Sequence, residues 1–186
     1  MKHETILRQT EIRRLWRADR PALAAHFARL DGETRRLRFG VVVTDAFIEQ
    51  YIDRLLNPDA VVWGAYLQDH LRGVGELHKL PGPWPFRGEI ALSVEPAWQD
   101  SGLGEALFAE LVAAAQNRGI GAIHMLCLRE NERMQHLARK HDAVLDFHIG
   151  DVEAVLSAPW PTPVSLAQEM VGNTKSLFRA VFHLDG

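Results

Sequence analysis

Glu89-Ile-Ala-Leu-Ser-Val-Glu-Pro-Ala-Trp-Gln-Asp-Ser-Gly-Leu-Gly-Glu-Ala-Leu107 reads as a strand that enters a tight loop and then a helix. Alternation along the strand puts Ile90, Leu92 and Val94 on one face and Glu89, Ala91, Ser93 and Glu95 on the other. The loop is Gln99-x-x-Gly102-x-Gly104. Glycines there let the backbone approach a ligand closely, and the helix start offers unpaired N–H groups and a positive dipole end, which suit a pyrophosphate. A plain helix-entry turn uses the same residues, so the pattern needs its context. The dinucleotide fingerprint would want three glycines within a parallel βαβ unit, and a P-loop would want Gly-Lys-Ser or Gly-Lys-Thr. Neither is present.

On the N-terminal side, Arg13 to Arg17 reads as a first strand, and Asp19 with Pro21 opens a helix over Ala22 to Leu30. Thr44 caps a second helix, Asp45 to Leu56, whose Phe47, Ile48, Tyr51, Ile52 and Leu55 form one apolar stripe. Val61 to Leu67, Leu71 to Leu77 and Glu89 to Val94 then read as an antiparallel meander. The three prolines between Pro81 and Gly88 predict a loop, whose aromatic residues either fold over a cleft or plug the sheet edge. On the C-terminal side, Leu103 to Arg118 is a helix ending at Gly119, Ile120 to Leu128 a buried strand, and Glu132 to His141 a short helix. Ala143 to Ile149 and Val152 to Leu156 flank a hairpin turn at Gly150-Asp151. The sum is an α/β (α+β) fold, a mostly antiparallel mixed sheet of about seven strands flanked by helices. The predicted domain is 1–158. Over 159–186 a helical extension carries the apolar stripe Met170, Val171, Thr174, Leu177, Phe178, Val181 and Phe182, which either seals the core or makes a homodimer contact.

The 186 residues suit one domain, and 47% hydrophobic with 24% charged residues is the ordinary globular range. No apolar run is long enough for a membrane span, and the start has no secretory pattern, so a cytoplasmic location is expected. A net charge of -3 without basic blocks argues against nucleic acid and tolerates a cationic substrate. The lone cysteine, Cys127, sits among apolar residues as a core position rather than a nucleophile. Nine histidines form no His-x-His or His-Glu-x-x-His pattern, so no metal is expected; His124, His136 and His141 read as packing or surface residues.

Strand, Val94-x-Pro96, Gln99-x-x-Gly102-Leu103-Gly104, helix, Gly119, strand and Asn131-x-x-Met134, in that order and spacing, resemble the signature of GCN5-related N-acetyltransferases (the GNAT superfamily) over roughly residues 10 to 156. The resemblance implies a GNAT fold and an enzyme moving an acetyl or small acyl group from acetyl-CoA to an amine. It implies that the backbone of Ser101, Gly102, Leu103, Gly104 and Glu105, with Gln99, holds the pyrophosphate of coenzyme A. The backbone of Leu92, Ser93 and Val94 would line its pantetheine arm, and Asn131 would contact the cofactor near its reactive end. Within the family, Phe27-x-x-Leu30, Thr34-Arg-Arg-Leu-Arg-Phe39, Glu89 to Val94 and Arg129-Glu-Asn-Glu-Arg-Met134 look like bacterial protein lysine acetyltransferases. Two departures stand out: His141-Asp142-Ala143 replaces the usual Leu-Gly-Phe, and Ala138 stands where many members have a tyrosine that protonates the leaving thiolate.

The sub-match places a general base at Glu89. Such a base is needed because a lysine-like ammonium with a pKa near ~10.4 cannot attack a thioester. The other reading of Glu89 is a salt bridge to Arg72 or Arg87, with Glu76 as reserve base. The acceptor is a protein lysine or a small amine. The rivals to an enzyme are a non-catalytic acyl-CoA-binding sensor and a structural interaction domain.

Overall fold

In the computed structural model, residues 2–57, 59–158, 160–167 and 169–171 are described. The chain begins with helix α1 (Lys2–Gln9) and strand β1 (Thr10–Arg14), followed by α2 (Arg20–Arg29), α3 (Gly32–Phe39) and α4 (Asp45–Leu55). Strands β2 (Ala60–Leu67), β3 (His70–Leu80) and β4 (Phe86–Val94) form the meander, and α5 (Leu103–Gln116), β5 (Ile120–Leu128), α6 (Glu132–Lys140), β6 (Val144–Phe147) and β7 (Asp151–Ser157) complete the order. The seven strands make one sheet, β1-β2-β3-β4-β5-β7-β6. Every pairing is antiparallel except β4 with β5.

Both faces of the sheet are covered over β2, and its side chains divide accordingly. Val61, Trp63 and Ala65 pack with Leu103, Leu107 and Leu111 of α5 in one core. Val62 and Tyr66 face the other way, with Leu23 and Phe27 of α2 and Ile48, Ile52 and Leu55 of α4. Each fully buried leucine of α5 contributes about 1.5–3 kcal/mol. The helix sits low on the sheet because β3 offers glycine beneath it: a Cβ on Gly75 would lie 2.8 Å from Leu111 Cδ1.

Several expectations shift. The first strand is Thr10–Arg14 rather than Arg13 to Arg17, so Arg13 and Arg14 are buried in it, Arg13 paired to Asp19 and Arg14 donating to Ala60 O. Asp19 precedes α2 without capping it, because its carboxylate is spent on Arg13 and the Trp16 N–H. Helix α3 was not expected. Asp31 Oδ1 accepts from the Thr34 N–H at its start, and Gly40 closes it in the left-handed region at φ 75°. Residues Phe86 to Gly88, expected in the proline loop, belong to β4, where Phe86 N–H donates to Gly119 O. Trp84 lies at a tilt against Trp160 and borders Gly119, so this loop packs beside the turn that leads into β5, with Trp84 itself exposed. Asp142 takes the left-handed conformation (φ 59°) where the Leu-Gly-Phe pattern would put glycine, one of the few side chains that tolerates it. Residues 163–167 and 169–171 are helical. Arg118 pairs with Glu169 at 2.6 Å and the Asn117 amide donates to Ser165 O at 3.1 Å, docking this segment on the end of α5. The remainder of the predicted stripe, Thr174 to Phe182, lies outside the described residues.

Candidate active site

The site is made where the one parallel pair stops being a pair. β4 and β5 pair from Phe86↔Ile120 to Glu89↔His124, with a register shift after Phe86, and no pairing between them continues. β4 nevertheless stays with β3 to Val94↔Gly73, and β5 stays with β7 to Leu128↔Asp151. The two strands therefore part, and a groove opens between them. Leu92, Ser93 and Val94 line one side, and Asn131, Met134 and Leu137 line the α6 side. Gln99, Gly102, Gly104 and Glu105 line its end at the start of α5, and Thr34, Leu37 and Arg38 of α3 form a further wall.

The loop is built as its sequence requires. Gly102 sits at φ 88° as the N-cap of α5 and has no side chain to cap it, so the N–H groups of Leu103, Gly104 and Glu105 lack intrahelical partners. Gln99 Nε2 donates to Val94 O at 3.1 Å and fixes the loop to the end of β4. A Cβ on Gly104 would meet nothing nearer than Val94 Cγ2 at 4.0 Å, so the space beside it is open. The Ser101 hydroxyl donates to Trp98 O, and Ser101 and Leu103 are both buried with side chains turned inward, leaving their backbone as the part that can reach a ligand. Asn131 caps α6, its Oδ1 accepting from Met134 N–H at 3.2 Å. Ser93 is buried, and its Oγ lies 2.9 Å from His26 Nε2, under which Glu95 is held by Arg29 and Arg72. Burial pushes the His26 pKa down, whereas the hydrogen bonds that Glu95 accepts outweigh its own burial and hold it at about 2.

Glu89 lies at the last paired position before the strands part, half-buried, with His78 and His124 as its neighbours in register. Among the described residues no ion pair reaches it: Arg72 is engaged by Glu95 at 2.8 Å, and His124 by Glu153 at 2.7 Å. Glu76, on the same face, is wholly buried. Arg38 approaches it at 2.6 Å, the Tyr51 hydroxyl donates to it, and His78 lies 3.4 Å away. Burial would raise the Glu76 pKa, but the attraction of Arg38 and these hydrogen bonds bring it to about 2. Such a carboxylate is ionised, enclosed and too weakly basic to collect a proton near neutrality.

Ala138 is 1% exposed and packs in the core, and neither of the chain's two tyrosines lines the groove. Burial pushes the Cys127 thiol up, as suits a core residue. Among the described residues no three His, Cys, Asp or Glu side chains gather into a metal cage, and no helix is long and apolar enough to cross a membrane. Sequence reading missed Thr34, Leu37 and Arg38 as a wall, and Arg133, His136 and Lys140 as the groove-facing stripe of α6. The Asp31 and Gly40 caps were the available signal for the first group, and the 3.6-residue spacing for the second.

Comparison with solved structures finds the same architecture. The GNAT domain of S. lividans PAT superposes with a TM-score of 0.71 at 19% identity, over 80% of this chain and 90% of that one. PaiA N-acetyltransferase from Thermoplasma acidophilum, solved in complex with coenzyme A, gives 0.60 at 20% identity over 80% and 98%. YncA from Salmonella typhimurium, solved with its cofactor acetyl-CoA, gives 0.63 at 16% over 81% and 95%. At these identities the likeness is one of fold. The sequence model of the acetyltransferase (GNAT) family matches residues 10–142, from the start of β1 to just beyond α6, and so takes in the parted strands, the glycine loop and both groove walls. The chain belongs to the acetyltransferase (GNAT) family.

Proposed function

We propose that this chain is a cytoplasmic N-acetyltransferase that moves an acetyl or other small acyl group from acetyl-CoA to a primary amine, with Glu89 as general base. The observation that carries the reading is the groove between the parted strands, which has an uncapped helix N-terminus at one end; Glu89 does not line it but stands at the last β4–β5 pair, where the strands begin to part. The open N–H groups of Leu103, Gly104 and Glu105 suit a pyrophosphate, and the empty space beside Gly104 leaves room for it. The two relatives solved with coenzyme A or acetyl-CoA support the same ligand here.

When bound, acetyl-CoA supplies the acyl group as a thioester with a thiol leaving group of pKa near ~8.5. The chain's own part is to position and to move a proton. The edge of β4 that no longer pairs with β5 leaves backbone donors facing the groove, near Leu92, for a carbonyl oxygen as it gains charge. Glu89 takes the proton of an incoming ammonium, directly or through water, and being half-buried it can pass that proton to solvent. With Ala138 in the core and no tyrosine at the groove, the thiolate departs without a tyrosine donor.

The acceptor we favour is a lysine side chain of a protein, on the likeness of α3, β4 and the start of α6 to protein lysine acetyltransferases; a small amine is the alternative. Residues 1–158 form the catalytic domain in this reading, and 159–186 an extension packed on it through Ser165 and Glu169. The test is coenzyme A release against a panel of lysine peptides and small amines, comparing wild type with Glu89→Gln. The variant should lose about two orders of magnitude or more in kcat while its acetyl-CoA affinity stays put. Full turnover by Glu89→Gln at neutral pH on a verified amine would remove Glu89 from the role.

A further inference from the structure

We propose that Arg133, His136 and Lys140 form a phosphomonoester site that selects the 3′-phosphate of coenzyme A. This rests on the reading of the groove as the coenzyme's site. The three residues stand at i, i+3 and i+7 of α6, so they share one face of the helix, and all three line the groove. The pyrophosphate has its donors elsewhere, in the open N–H groups at the start of α5. The stripe on α6 is therefore available to a second anionic group, and the ribose 3′-phosphate is the other one that coenzyme A carries.

The flanking cations are already aimed across the groove. Arg133 Nε lies 3.2 and 3.3 Å from the two oxygens of Asp100, and Lys140 Nζ lies 2.7 Å from Glu105. Asp100 and Glu105 thus hold the long side chains toward the space an anion would enter, with His136 between them. These pairs are exposed, more than half for Arg133 and Lys140, so exchanging a carboxylate for a phosphate costs little. A phosphate carries more charge and more acceptor oxygens than the carboxylate it displaces, and its bonds to these cations are charge-assisted.

The rival explanation is that Arg133 and Lys140 only neutralise Asp100 and Glu105, whose charges would otherwise repel any phosphate at the loop. The two explanations separate on one ratio, the affinity for coenzyme A over that for 3′-dephospho-coenzyme A, measured by calorimetry on the full chain. Wild type should favour coenzyme A by about tenfold or more, as a charge-assisted contact implies. Arg133→Ala combined with Lys140→Ala should bring the ratio close to one by weakening coenzyme A alone, and Lys140→Arg should keep it. Circular dichroism and the retained affinity for the dephospho ligand show that the variants fold. An equal loss of both ligands, leaving the ratio unchanged, overturns the site in favour of neutralisation. Equal affinities in wild type overturn it while leaving the groove assignment intact. Binding of neither ligand by wild type overturns both.

Discussion

Replacing Glu76 by glutamine should cost about 3–5 kcal/mol of folding stability, because it leaves the Arg38 guanidinium enclosed without its counter-charge. Glu76 is fully buried, and the Arg38 side chain is 10% exposed, so water cannot take the place of the lost carboxylate. The pKa gives an independent figure. A carboxyl ordinarily near 4.5 and held at about 2 in the folded protein stabilises it by about 3 kcal/mol at neutral pH. The sign follows from the direction: a depressed carboxyl pKa gives stability that is full above about pH 5 and drains away as the pH falls toward 2. The gap between wild type and Glu76→Gln should therefore narrow by about 2 kcal/mol between pH 7 and pH 3. Urea unfolding at the two pH values measures both quantities, and the midpoint of thermal unfolding at pH 7 should fall by roughly 6–20 °C for a chain of this size. A loss under about 1 kcal/mol, or a gap that does not change with pH, would refute the claim that Glu76 is a locked structural anion, and would restore it as a candidate base.

Glu89→Gln, by contrast, breaks no ion pair among the described residues, so its unfolding free energy in urea should stay within about 0.5 kcal/mol of wild type while its rate collapses. Gly104→Val should abolish calorimetrically detectable acetyl-CoA binding and still fold, since the nearest atom to the new Cβ is 4.0 Å away and the rest of the side chain enters the groove; unchanged affinity would put the pyrophosphate elsewhere. Ala138→Tyr should destabilise the protein by about 1–3 kcal/mol through overpacking and should not speed turnover. A faster enzyme would show that position 138 can reach the leaving thiolate after all.

The parts of this protein legible in its sequence are those whose physics is local. Ile120–Leu128 stands between Gly119 in the left-handed region and a polar turn, an apolar run whose bounds as a strand are legible, although it is buried on one face only and leaves Leu126 exposed. Thr44 announces α4 because its hydroxyl accepts from Phe47 N–H three residues on. The glycine loop was legible for the same reason: a backbone that must turn at φ 88° ahead of a helix leaves its mark in residue type. Helix α3 has no legible stripe, since Leu37 and Phe39 are its only apolar residues, and only its Asp31 and Gly40 caps mark it. Its position is fixed instead by contacts made far along the chain, from Arg38 to Glu76 and from Arg36 to Glu130.

That omission bears directly on the choice of base. Register on β3 and β4 puts Glu76 and Glu89 on one face, with Glu76 opposite Ala91, so alternation alone left both as candidates. What separates them is Arg38, delivered by the helix that no apolar stripe announces. Its guanidinium claims Glu76, with the Tyr51 hydroxyl and His78 closing round the same carboxylate, and leaves Glu89 without an ion pair among the described residues where β4 and β5 part. A carboxylate engaged by three partners is held ionised and is a poor proton acceptor, while one that is half-buried can exchange protons with solvent. The proposal of Glu89 over Glu76 thus rests on long-range pairing, and it stands or falls with the Arg38 to Glu76 contact.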